Sequence, residues 1–178
     1  GGWPGTFKDI ATAVDALANY DEGPLDRSRI AFAGHSAGGH LALWAAARGR
    51  LPRDSVLFTE TPLQPRGVLG LAAITDLAAY AHGDNSCERV TQTLMGGSPD
   101  AFPDRYAQAS PTILGVTTDT VLLQGGADAI VSPAQAEALA GARVVMLPDA
   151  GHFDLVHPQT PAFGRILTLL EDLMTDAP

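Results

Sequence analysis

Gly34-His35-Ser36-Ala37-Gly38-Gly39-His40 is the stretch on which the reading of this chain turns. Before it, Arg29-Ile30-Ala31-Phe32-Ala33 reads as a buried strand. After it, Leu41-Ala42-Leu43-Trp44-Ala45-Ala46-Ala47 reads as a buried helix. A strand that reverses straight into a helix puts the serine of G-x-S-x-G at the tip of a tight turn, with its hydroxyl exposed. Glycines 34 and 38 are expected to leave room where the two backbones converge. The helix N-terminus favours negative charge beside Ser36. This arrangement points to covalent, nucleophilic chemistry.

Outward from that turn, three more apolar runs read as strands: Gly67 to Ile74, Thr120 to Gln124 and Ala142 to Leu147. None alternates polar with apolar, which is the pattern of parallel strands covered on both faces. Helical patterns separate them, so the fold class is α/β, a mostly parallel sheet with helices on both faces. The first helix is expected to start with Thr6 as cap and Asp9 in a capping-box-like position. It carries Phe7, Ile10, Ala11, Val14, Leu17 and Ala18 at helical spacing and stops before Asp21-Glu22-Gly23-Pro24. Helices are also expected over 37–48 and 133–139. The closing helix spans 162–174, with Phe163, Ile166, Leu167, Leu170 and Leu173 on one face. Residues 52–65 are polar and Pro-rich, hence a loop. Residues 76 to about 115 are the least regular. They hold short helices near 76–80 and 88–95, the second stopped by Gly96-Gly97, and are expected to overhang the site as an insertion.

The 178 residues are enough for a single domain, and 46% hydrophobic residues supply a core. Eleven basic against twenty acidic residues, net −9, argue against a nucleic-acid surface. No apolar run reaches the roughly 18 residues of a membrane span, so neither nucleic acid nor membrane is expected as a partner. Cys87 is the only cysteine, which excludes an internal disulfide. The chain opens Gly1-Gly2-Trp3-Pro4 without Met or signal peptide and reads as cut from something longer. The compartment is therefore open, the cytoplasm being favoured.

A serine hydroxyl needs a base, and the base needs an orienting carboxylate. In this fold class both stand beyond the carboxyl ends of later strands. Strand 120–124 runs into Gly125-Gly126-Ala127-Asp128, and strand 142–147 into Pro148-Asp149-Ala150-Gly151-His152. Ser36, Asp128 and His152 are accordingly the candidate nucleophile, orienting acid and base. Asp76, after the second strand, and Asp149 compete for the acid role; Asp119 precedes its strand. His35, His40, His82 and His157 compete for the base. The backbone amide of Ala37 is the candidate oxyanion donor. His35, Tyr80 and Met95 are candidate substrate contacts, with Phe102 and Tyr106 in the same irregular region. Trp44 reads as core. His152, Asp154 and His157 lack a further ligand set for a metal, so no metal or cofactor is expected.

The run Gly34 to Ala42, the segment Gly125-Gly126-Ala127-Asp128 with Val131-Ser132-Pro133, and Ala150-Gly151-His152-Phe153 together resemble the α/β-hydrolases. The likeness is to the bacterial carboxylesterase branch with feruloyl-esterase-like, kynurenine-formamidase-like and prolyl-oligopeptidase-like members. It covers nearly the whole chain as the C-terminal portion of that fold. It implies a serine hydrolase of small carboxylic esters acting through an acyl-enzyme, with a small ester or amide as partner. Its alternatives are an amidase or peptidase on the same residues, or a non-catalytic binding protein. The family's HGG-type oxyanion loop has no counterpart among the 178 residues. The resemblance therefore implies a front half supplied by upstream sequence or another chain, without which the first strand is a bare edge.

Overall fold

The computed structural model describes residues 1–20, 23 and 26–175. Among the described residues, four parallel strands form one sheet in the order β1-β2-β3-β4: β1 Ala31–His35, β2 Gly67–Leu71, β3 Asp119–Gly125 and β4 Arg143–Leu147. Side chains alternate across the sheet, so the two central strands, β2 and β3, each feed two cores. Val68 and Leu122 point to a core shared with Phe7, Leu43, Trp44 and Tyr106. Leu69, Leu71, Val121 and Leu123 point to the other, shared with Leu155, Leu169 and Leu173. The expected sheet covered on both faces is thus what forms.

Helices α1 (Gly5–Ala16) and α2 (Ala37–Ala47) cover the first face. They are joined by α3 (Leu77–Ala81), α4 (Ser86–Met95), α5 (Pro103–Ala109), α6 (Pro111–Leu114) and α7 (Pro133–Ala138). Helix α8 (Pro161–Met174) covers the second. Residues 76–115, read as irregular with short helices near 76–80 and 88–95, hold α3 and α4 at those places and two further short helices, α5 and α6. Proline at the first turn of α5 and α6 starts each, a signal hidden by the brevity of the helices.

Several boundaries differ from expectation. β1 sits two residues later than 29–33, because its pairing continues until His35 meets Leu71. β2 ends at Leu71 rather than Ile74, because Ala72 turns the chain at φ 45°. Thr6 does not cap α1: its hydroxyl accepts from the Gly2 amide, Pro4 is the cap residue, and Asp9 closes no capping box. The buried face of α8 is Ala162, Leu169 and Leu173, while Leu167 is 59% exposed. Of the breaker after α1, Asp21, Glu22 and Pro24 lie outside the described residues. Among the described residues no helix is long and apolar enough to cross a membrane.

Candidate active site

The β1–α2 turn is built by a close approach of backbones. A Cβ on Gly34 would lie 2.2 Å from the Gly38 carbonyl oxygen, and one on Gly39 would lie 2.7 Å from Ala73 Cβ. A Cβ on Gly38 would meet nothing within 4 Å. The crowded positions are therefore 34 and 39, correcting the expectation for Gly38. Between them Ser36 adopts φ 56°, ψ −121°, a conformation that costs a non-glycine residue of order 1–3 kcal/mol. The turn holds it: the Ser36 amide donates to the Leu71 carbonyl at 2.8 Å, and its carbonyl accepts from His40 at 3.0 Å. Ser36 is half-buried, and Ala37, whose amide opens α2, is exposed.

The β3–α7 and β4–α8 loops lie directly against each other. The Gly126 amide donates to the Leu147 carbonyl at 2.8 Å and the Ala127 amide to the Ala150 carbonyl at 3.1 Å. Gly125 and Gly126 permit the contact, since a Cβ on either would sit 2.3 Å from the Ala150 oxygen or 2.6 Å from the Pro148 oxygen. Asp128 Oδ1 accepts from the amides of Ile130 at 2.8 Å and Val131 at 2.9 Å. Its Oδ2 accepts from His152 Nδ1 at 2.7 Å and from Gln124 Nε2 at 3.4 Å. Asp128 and His152 are both buried, at 7% and 6% exposure. With Nδ1 donating, the neutral imidazole presents Nε2 as an acceptor.

Ser36, Asp128 and His152 all stand beyond the carboxyl ends of the sheet, but the structure joins them unequally. Asp128 and His152 are hydrogen-bonded, whereas among the described residues no hydrogen bond links Ser36 Oγ to the imidazole. Such bonds are often long before substrate binds.

The rivals are occupied elsewhere. Asp76 caps α3, its carboxylate accepting from the Ala79 amide at 2.9 Å. Asp149 is exposed, and Asp119 starts β3 at the opposite end of the sheet. His40 Nε2 donates to the Ala109 carbonyl at 2.8 Å, and full burial pushes its pKa down to about 4. His82 is exposed after α3, and His157 Nδ1 accepts from the Gln159 amide at 3.2 Å. Asp154 accepts from the Gly151 amide at 2.7 Å. Among the described residues no three His, Cys, Asp or Glu side chains are grouped to hold a metal ion.

Two candidate substrate contacts prove to be packing. Met95 is fully buried in the first core, so its thioether faces protein on all sides. Tyr80 is 4% exposed and donates its hydroxyl to the Ile130 carbonyl at 3.3 Å; burial raises its pKa to about 12. Tyr106 is buried likewise and donates to the Gly97 carbonyl at 2.9 Å, while Phe102 stacks beneath Arg105, 3.8 Å from its guanidinium carbon. The third candidate, His35, faces His152: Nε2 donates to the His152 carbonyl at 2.9 Å, and the ring centroids are 4.4 Å apart. Burial holds the His35 pKa below its ordinary value, against the raising effects of that hydrogen bond and of Asp128.

Sequence reading missed Gln124, whose buried amide also donates to the Val131 carbonyl at 3.0 Å and so braces the acid loop from within β3. It missed Phe153 as well, 65% exposed beside His152 with ring centroids 5.0 Å apart. An aromatic directly after the candidate base was the available signal for the second; a glutamine inside an apolar strand was the signal for the first. A cavity of about 530 Å³ opens between the β4–α8 loop and α8, lined by Leu147, Pro148, Asp149, Pro161 and Arg165. None of Ser36, Asp128 and His152 lines it.

The BD-FAE family model matches residues 1–142. No curated protein sequence matches the chain. Among solved structures, a truncated form of a carbohydrate esterase from gut microbiota superposes with TM-score 0.78 at 22% identity, over 99% of this chain and 70% of that one. The acetyl ester-xyloside bifunctional hydrolase of Caldicellulosiruptor lactoaceticus gives 0.73 at 19%, over 96% and 65%. The acylaminoacyl peptidase of Pyrococcus horikoshii gives 0.69 at 16%, over 93% and 27%. These are α/β-hydrolase folds; this chain spans about two thirds of the two esterases and about a quarter of the peptidase.

Proposed function

The chain belongs to the BD-FAE family, and on that premise we propose that it is a serine hydrolase of small carboxylic esters. One observation carries the reading. The Asp128 carboxylate, fixed by two backbone amides, holds His152 Nδ1 at 2.7 Å and so leaves Nε2 free to accept a proton. The serine that opens α2 at the same end of the sheet is the group it would serve.

In the proposed cycle His152 Nε2 takes the Ser36 hydroxyl proton as Oγ attacks the ester carbonyl carbon. Asp128 keeps the imidazole in one tautomer and stabilises the imidazolium. The oxyanion is met by the Ala37 amide and the N-terminal dipole of α2. Collapse expels the alkoxide, which leaves with the proton from His152. Water, deprotonated by His152, then attacks the acyl-Ser36 carbonyl and releases the acid. Every proton passes through one imidazole, and no redox step is required.

The test is intact-mass labelling with a fluorophosphonate beside the Ser36→Ala variant. A single adduct that disappears in Ser36→Ala supports the reading; an adduct that persists in the variant refutes it. Turnover of p-nitrophenyl acetate against acetyl p-nitroanilide then separates ester from amide cleavage. The peptidase superposition makes the amide the second reading. A larger kcat/KM for the anilide would reassign the substrate without moving the residues.

A further inference from the structure

The turn carrying Ser36 and the loop carrying His152 arise at opposite edges of the sheet. β2 and β3 separate β1 from β4, a span of about 14 Å at ordinary strand spacing. Asp128 belongs to the His152 side: its loop and the His152 loop are stitched together by backbone hydrogen bonds and by the Asp128–His152 pair. None of those bonds sets the distance from that unit to Ser36. A strong acid–base pair misplaced by an ångström would still be a poor catalyst, since such an error can cost about a hundredfold.

The residue before the serine makes the crossing. His35 Nε2 donates to the His152 carbonyl at 2.9 Å. It is the one hydrogen bond between residues 31–40 and 148–157 among the described residues. The two imidazoles lie against each other, centroids 4.4 Å apart at 49°, and Phe153 closes the cluster, 5.9 Å from His35 and 5.0 Å from His152. We propose, resting on the hydrolase reading, that His35 is a positioning residue: it clamps the His152 loop onto the serine turn and so sets the reach from Ser36 Oγ to His152 Nε2.

The chemistry of the contact fits the task. The acceptor is a backbone carbonyl, so Nε2 of His35 carries the hydrogen, and a neutral ring suffices. Neutrality suits the cycle, because His152 becomes an imidazolium when it takes the serine proton. A second cation against its face would oppose that step. The desolvation that keeps the His35 pKa low works in the same direction. A substrate contact would instead leave Nε2 free to face the solvent.

Two variants divide the clamp from mere packing. His35→Phe keeps a flat ring and removes the donor; His35→Gln keeps an N–H near the Nε2 position and removes the ring. Amide hydrogen exchange across residues 150–155 reads the loop without any catalysis. Fluorophosphonate labelling, with kcat and KM on p-nitrophenyl acetate, reads the serine–histidine reach. His35→Phe is expected to speed exchange in that loop about tenfold, the loss of one net hydrogen bond, with β2 and β3 unchanged. It should lower kcat by about ten- to a hundredfold with KM held within about twofold. His35→Gln should restore most of both. Unchanged loop exchange in His35→Phe overturns the clamp even if labelling falls, and failure of His35→Gln to restore protection overturns the donor role. If the wild type takes no label at Ser36, the hydrolase reading fails. The exchange result then decides the clamp alone: faster exchange in His35→Phe supports it, and no change overturns it.

Discussion

Two regions flank the serine turn, and they use their polar groups in opposite ways. In the segment after β2, residues 72–115, polar side chains are consumed in holding its own helices. Asp76 caps α3, and Asn85 and Glu88 form the capping box of α4. Ser110 accepts from the Leu77 amide at 3.1 Å. From outside the segment, Gln135 of α7 accepts from the amides of Thr75 and Asp76, at 2.8 Å each. In the paired loops after β3 and β4, backbone amides immobilise one carboxylate so that it in turn orients an imidazole. A strand-end aspartate occurs in both regions. What separates a cap from a candidate catalytic acid is whether a histidine loop lies within reach, and that is decided by sheet order. β4 neighbours β3, not β2.

The sharpest way to break this contrast is to neutralise each acid. Asp128→Asn is expected to lower kcat on p-nitrophenyl acetate by about 10⁴-fold, because the amide favours the wrong imidazole tautomer. Asp76→Asn in the same assay should change it by no more than about twofold. If the Asp76 variant is the more damaged, the acid has been misassigned.

Next in size is the contact between the two loops. Gly125→Ala places a methyl 2.3 Å from the Ala150 oxygen, a backbone atom that cannot rotate away. It should cost about 3 kcal/mol, the upper end of overpacking, seen as a lower urea midpoint, together with weaker labelling of Ser36. Gly38→Ala, which meets nothing within 4 Å, is the matched control and should melt like the wild type.

The region after β2 has its own weak point. His40 ties α2 to the end of α5 as a neutral buried imidazole, with a pKa pushed down to about 4 against about 6.5 when unfolded. The unfolded chain therefore binds the proton first. This contribution to stability is complete above pH 6.5 and is lost as the pH falls from 6.5 towards 4, by about 3 kcal/mol in total. Urea titrations at pH 7.5 and 4.5 should show a steeper loss for the wild type than for His40→Gln. Parallel losses would mean that His40 is not the group responsible.

The smallest effect is expected from the cap. Asp76→Ala should cost about 1 kcal/mol, or about 3 °C in Tm for a chain of this size, and leave kcat unchanged.

The strands and the serine turn were legible because they are local. Apolar runs without alternation mark buried parallel strands, and G-x-S-x-G between a strand and a helix marks the reversal. The positions of Asp128 and His152 were legible for the same reason, since each follows its strand within a few residues. Of the four short helices of 76–115, those near 76–80 and 88–95 were legible, whereas α5 and α6, of seven and four residues, are too short to show a helical period, and the prolines that start them read equally well as loop.

By itself, then, the sequence determined the α/β class and the parallel sheet, and it named three candidate residues for nucleophilic chemistry. It did so through properties carried by neighbours along the chain. Only the tertiary structure decided that Gly39 rather than Gly38 makes room for the turn, and that Tyr80 and Met95 are packing. It also decided that Asp128 holds His152 while Asp76 caps a helix, and that His35 reaches across the site to the His152 carbonyl. Most of those outcomes depend on which residues far apart in the chain pack against one another, and no local pattern encodes a distance between loops from opposite edges of a sheet.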